Sequence, residues 1–213
     1  LQADPEEIEL SDGHARLRAG SASVKLSELA RACHHKSHQF GNDADSGLMA
    51  FATYDPPGTY SNACHAAVVE VDIETGRVKL LRFVAVEDAG ILINPMLADG
   101  QIVGGIAQGI GNALLEEIVY DGDGNILTAS LADYLPPTAR EVPFVEIVHL
   151  ETVTDASITG AKGLGEGGAI GAPAAVINAI CDALTPFGIE LFEMPATPER
   201  IRAAVRAAEE RRS

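Results

Sequence analysis

The sequence predicts an α+β fold in which mixed sheets and hairpins pack against glycine-rich helices. Three stretches carry that expectation. Residues 67–86 alternate apolar and polar positions on both sides of Glu74-Thr75-Gly76, as a hairpin with a buried face does. Residues 100–117 are apolar at helical spacing yet hold five glycines. A third stretch, Gly160-Ala161-Lys162-Gly163-Leu164-Gly165-Glu166-Gly167-Gly168, is a glycine loop with one carboxylate, followed by Gly171-Ala172-Pro173 and an apolar helix over Ala174–Leu184.

Composition sets the bounds. The 213 residues suffice for one large domain or two small ones, and 46% of them are hydrophobic, enough for a sizeable core. A formal net charge of −16 argues against a nucleic-acid partner, which requires a basic footprint. Cys33, Cys64 and Cys181 form no CxxC pair, which favours a reducing compartment, the cytoplasm, over a disulfide framework. The longest apolar run, Ile102–Leu115, is too short and too interrupted to span a bilayer. The chain opens on Leu1 rather than Met and is expected to be part of a longer polypeptide.

Residues 8–26 read as a small β unit turning at Ser11-Asp12-Gly13, with Ser27 as N-cap of a short helix over 28–32. Residues 33–62 read as irregular. Cys33-His34-His35-Lys36-Ser37-His38 has ligand-type side chains but no second pair at zinc-site spacing, so a polar loop is expected and no metal ligand is assigned. Cys64 and His65 open the long hairpin and read as a packed thiol and an edge histidine. Asn94-Pro95 leads into the glycine-rich helix. Each glycine there costs about 1 kcal/mol against Ala, so a close-packed backbone or a ligand must compensate. Gln108 sits among them; its amide suits a heterocycle edge or an oxo ligand, while a buried Gln satisfied by backbone explains the same residue. Residues 118–130 read as a hairpin turning at Asp121-Gly122-Asp123-Gly124-Asn125, which lacks the closing Glu of a calcium loop. A strand over 143–152 precedes the glycine loop, 189–192 is extended, and Thr197-Pro198-Glu199 starts the last helix.

Three chemistries compete for the glycine loop. Gly163 to Gly168 matches GxGxxG, but it stands well after its strand, and Glu166 would face the pyrophosphate of a dinucleotide. A phosphate-binding P-loop fails because Lys162 precedes the glycines. The third is a general base beside a tightly bound cofactor. A tight connection carrying a solvated Glu accounts for the same residues.

The combination of Asp88-x-Gly90-x3-Asn94-Pro95, then Gly100-Gln101-Ile102-x-Gly104-Gly105-Ile106-Ala107-Gln108-Gly109-Ile110-Gly111, then Gly160-Ala161-Lys162-Gly163-x-Gly165-Glu166-Gly167-Gly168 resembles the C-terminal part of the molybdenum hydroxylase large subunit. This is the family of xanthine dehydrogenase, aldehyde oxidoreductase and aerobic carbon monoxide dehydrogenase. The order and spacing of three motifs carry the resemblance over most of the chain, from Leu1 to about the final helix.

The resemblance implies a second molybdopterin-binding domain, of which residues 1–213 are the C-terminal portion. It implies that Glu166 is the active-site base, acting on a hydroxo ligand of molybdenum, while Gln108 touches the pterin or an oxo ligand. Gly105 and Ala107 on the glycine helix, and the backbone of Lys162, Gly163 and Gly165, would help seat the pterin. The implied cofactor is molybdopterin, in bacterial relatives the cytosine dinucleotide form. The implied partners are the N-terminal half of the large subunit, iron–sulfur and FAD-bearing subunits, and a small-molecule substrate that is an aldehyde, a purine, an N-heterocycle or carbon monoxide. A non-catalytic scaffold that keeps the fold is the competing expectation.

Overall fold

A computed structural model of the protein describes residues 3–36 and 51–211. The chain divides into two compact units, Leu1–Asp55 and Pro56–Ser213.

In the first unit, β1 (Ile8–Ser11), β2 (His14–Leu17) and β3 (Ser23–Lys25) form an antiparallel sheet in that order. Asp12 and Gly13 make the tight turn between β1 and β2 with φ of 48° and 72°. Helix α1 covers Leu26–His35. It starts before Ser27, so Ser27 is not its cap; Lys25 holds that position and its side chain makes no capping bond. It also continues past Ala32, because nothing in Arg31 to His35 breaks a helix and His34 and His35 suit its C-terminal end. Cys33, His34 and His35 therefore lie on a helix rather than in a polar loop; Ser37 and His38 lie outside the described residues.

In the second unit, β4 (Asn62–Val71) and β5 (Val78–Asp88) form the long antiparallel hairpin, and β6 (Val145–Leu150) runs parallel to β5. The sheet is mixed, in the order β4-β5-β6. Asp72 closes the hairpin turn by accepting the Glu74 and Thr75 amides at 2.9 and 3.2 Å. Helix α2 (Pro95–Leu114) is capped by Asn94, whose Oδ1 accepts the Leu97 amide at 3.2 Å. Helix α3 (Gly167–Leu184) packs on α2 and on β4. Its buried positions, Gly168, Ala172, Val176, Ile180 and Leu184, recur every fourth residue and meet Ile102, Ile106 and Ile110 of α2 over Phe83 and Ala85 of the sheet. Helix α4 (Pro198–Glu210) starts at Thr197, whose hydroxyl accepts the Arg200 amide at 3.3 Å, and buries Ile201, Val205 and Ala208.

Four expectations change. Helix α3 begins at Gly167, seven residues before Ala174, because Gly168 and Ala172 gain buried contacts on α2 that a loop would forgo. The 118–130 hairpin reduces to a Tyr120–Ile126 bridge; Ile118, Val119, Tyr120, Ile126 and Leu127 are all exposed, so no face is available to extend the ladder. Its turn is closed locally, with Asp121 Oδ1 accepting the Asp123 and Asn125 amides at 2.9 and 2.8 Å. Residues 189–192 pair with no strand among the described residues; the Leu191 amide donates to Cys181 Sγ at 3.3 Å instead. Finally, Gly167–Phe187 is long and apolar enough by length and composition to cross a membrane, with mean hydropathy 1.4, which the Ile102–Leu115 run is not. Here its apolar stripe serves the packing on α2 and β4.

Candidate active site

The glycine loop is clamped to the end of β5. Gly90 and Ala161 form a bridge, the Lys162 amide donates to Ala89 O at 2.7 Å, and the Ile91 amide donates to Gly160 O at 3.1 Å. A Cβ at Gly90 would strike the Gly160 carbonyl, and Gly90 has φ of +65°, so only glycine lets the two segments meet. Asp88 Oδ1 gathers the clamp by accepting from the Gly90 amide (3.0 Å), the Thr152 amide (3.2 Å) and Lys162 Nζ (3.1 Å). Bonds from Thr152, then from the Gly90 amide, with help from Lys162, outweigh burial and hold the Asp88 carboxyl well below the usual carboxylate range. Downstream, Gln101 on α2 donates from Nε2 to Gly165 O at 2.6 Å.

Directly after the second tie stands Glu166, the N-cap residue of α3. Its carbonyl accepts the Ala169 and Ile170 amides at 2.9 and 3.2 Å. Its carboxylate is exposed and makes no capping bond. The side chain is left free while its backbone is fixed by the Gln101 bond to Gly165 on one side and by the first turn of α3 on the other. The first N–H groups of α3 have no acceptor within the helix and favour an anion or a polar ligand nearby.

The glycines divide into two sets. Gly105 and Gly109 serve helix packing: a Cβ at Gly105 would lie 2.8 Å from the Ala169 nitrogen, and one at Gly109 2.6 Å from the Ala172 methyl and 2.9 Å from the Pro173 ring. Gly100, Gly104, Gly163 and Gly165 would meet nothing within 4 Å. Gly163 and Gly165 thus leave bare, open backbone just before Glu166, a surface that a ligand can approach closely. Gln108 is exposed rather than buried, and its amide has no partner among the described residues. Ala107 lines a cavity of about 510 Å³ together with Val103, Pro137, Val142, Phe144 and Val145.

A family profile described as a molybdopterin cofactor-binding domain matches residues 1–143. The chain belongs to this family. The large subunit of nicotine 6-hydroxylase from Paenarthrobacter nicotinovorans is 42% identical over 208 residues, 97% of this chain and 26% of that protein. The carbon monoxide dehydrogenase large chain of Hydrogenophaga pseudoflava is 35% identical over 187 residues, 87% of this chain and 23% of that one. Quinoline 2-oxidoreductase from Pseudomonas putida 86 superposes with a TM-score of 0.79 at 42% identity, over 96% of this chain and 26% of that one. The chain thus spans about a quarter of the length of these molybdenum hydroxylase large subunits.

Within this molybdopterin-binding domain, the structure brings Gly105, Gly163, Gly165 and Glu166 to one place, around the α2–α3 contact and the loop that enters it. Lys162 contributes differently from its sequence reading: both its amide and its ammonium are committed to the clamp, and its side chain is 9% exposed. Asp88 and Gln101 stood within the resembling motifs but carried no role, since their partners lie 64 and more residues away. Cys64 is exposed and His65 is buried, the reverse of a packed thiol and an edge histidine, because inward positions on β4 begin at His65. Among the described residues, no group of three or more His, Cys, Asp or Glu side chains could hold a metal ion directly.

Proposed function

We propose that this domain supplies the general base and part of the cofactor cradle of a molybdenum hydroxylase. In that reaction a C–H bond is exchanged for C–OH with oxygen from water, and two electrons and two protons leave. The uncovered glycine backbone fits the pterin, so Gly163 and Gly165 would hold one side of it and Gln108 would offer its free amide. When bound, the molybdenum cofactor supplies the electron-accepting centre and the activated oxygen. What this chain's residues do is geometric and acid–base. Glu166 takes the proton released as oxygen attacks carbon. The Asp88–Lys162 clamp and the Gln101 bond to Gly165 fix the backbone that aims it. The single observation that carries this reading is a free carboxylate at the N-cap of α3 on a loop fixed at both ends.

The substrate class we favour is an aromatic N-heterocycle. The two relatives at 42% identity act, by their names, on nicotine and quinoline, and the carbon monoxide dehydrogenase chain is more distant at 35%. An aldehyde, a purine or carbon monoxide is the remaining set. We assign a cytosine-dinucleotide form of molybdopterin, iron–sulfur and FAD partners that carry the electrons away, and a cytoplasmic site, consistent with three free cysteines.

Glu166→Gln in the intact enzyme tests the base. The expected result is a fall in kcat of about 10²- to 10⁴-fold with molybdenum content retained. Unchanged turnover, or a native particle containing no molybdenum, would move the assignment to a scaffold that keeps the fold without chemistry.

A further inference from the structure

The inner face of the β4–β5 hairpin is apolar except at one place. His65 and Glu87, each with 1% of its side chain exposed, share a hydrogen bond of 2.9 Å between Nε2 and Oε1. Phe83 packs edge-on against the imidazole, with ring centroids 5.6 Å apart. The two remaining polar atoms, His65 Nδ1 and Glu87 Oε2, are buried without a hydrogen-bond partner among the described residues. Both face the start of α3. A Cβ on Gly171 would lie 2.7 Å from His65 Nδ1, and one on Gly167 2.9 Å from Glu87 Oε2. Gly167 and Gly171 are four apart, so they share a helix face, and that face rests on the couple. Gly167 directly follows Glu166.

For stability alone, apolar side chains of similar volume would serve as well as a buried polar couple or better. The couple has a different use. A carboxylate beneath the first turn of α3 complements the N–H groups that the helix leaves without acceptors. Two glycines on the helix let its backbone settle onto the couple at a distance no other residue allows. We propose that His65 and Glu87 are positioning residues: the buried couple seats the first turn of α3 through Gly167 and Gly171, and so sets the direction in which Glu166 presents its carboxylate to the cradle. The seating of the helix stands on the contacts above; its consequence for turnover rests on Glu166 being the base.

Two variants of the intact enzyme test it. Glu87→Gln keeps the volume and one acceptor but replaces one carboxyl oxygen with an amide NH2. Gly171→Ala places a methyl against His65. The readouts are amide hydrogen exchange over residues 163–170, molybdenum content, and kcat and KM separately. Both variants are expected to speed exchange in that segment about tenfold. Both should also lower kcat about 10- to 100-fold, as misplacement of a reacting group does, with KM and molybdenum little changed. Gly171→Ala is the sharper case and keeps the test decisive should Glu87→Gln not fold. Alanine favours a helix over glycine, so a slack contact would slow exchange instead of speeding it. Unchanged or slower exchange in Gly171→Ala overturns the proposal. Glu166→Gln separates it from the base assignment. If that variant retains turnover the base reading falls, and exchange in the other two still decides whether the couple seats the helix.

Discussion

Asp88 is the residue on which the loop depends, and its chemistry predicts an acid sensitivity. Its carboxyl in the fold is held below the usual range, first by Thr152, then by the Gly90 amide. A depressed folded-state pKa means the contribution is complete above the unfolded value, about 4, and drains away as pH falls toward the folded one. Unfolding midpoints measured from pH 6 to pH 3 should therefore fall more steeply below about pH 4 in the native protein than in Asp88→Asn, which should be the less stable of the two at pH 6. Parallel curves would mean that the clamp holds without the charge. The sequence exposed one part of this site. Glu166 was legible because it is the lone carboxylate among local glycines. Lys162 was legible as a loop residue but not as a clamp, because its partner stands 74 residues upstream. His65 was read from its neighbours in the chain, whereas its environment is set by Glu87 across the hairpin and Gly171 on another element.

At the scale of elements, the contact between α2 and α3 is where glycine content becomes architecture. The need for compensation among the glycines of residues 100–117 was clear from propensity alone. The sequence did not separate glycines that meet a helix from glycines that meet nothing, since Gly100 and Gly104 show the same four-residue spacing as Gly105 and Gly109. Nor did it show that α3 begins at Gly167, because local propensity at a Gly-Gly-Ala-Ile-Gly start is poor and the helix is fixed there by packing on α2. Substitution separates the two sets. Gly109→Ala gains about 1 kcal/mol of helix propensity but drives a methyl into Ala172 and Pro173, an overpacking worth about 1–3 kcal/mol, so a net loss of stability is expected in urea titration. Gly104→Ala has the same propensity gain and no neighbour to strike, so the chain should gain about 1 kcal/mol. Equal effects at the two positions would contradict the packing described here.

At the scale of the whole molecule, the surface around the start of α2 is not finished as a solvent surface. Ile93, Met96 and Leu97 are 76, 73 and 65% exposed. Scattered apolar residues on a surface are ordinary, but three in one five-residue stretch are not scattered. The stretch lies just before Gln101, which bonds to Gly165 of the glycine loop, and the domain spans about a quarter of its relatives. If this patch is covered in the complete enzyme, a charge placed there should act on assembly and not on the fold. Met96→Glu is therefore expected to change the unfolding free energy of the chain by no more than about 0.5 kcal/mol, as exposed substitutions do. In the intact enzyme the same substitution should cost assembly, read as a lower yield of full-length particle and less molybdenum per particle. An apolar dye should bind the chain and be excluded from the assembled enzyme, and Met96→Glu should reduce the binding. Full assembly and full molybdenum content in Met96→Glu would show that the patch stays in water, and the open glycines beside it would then need another explanation than a covering partner.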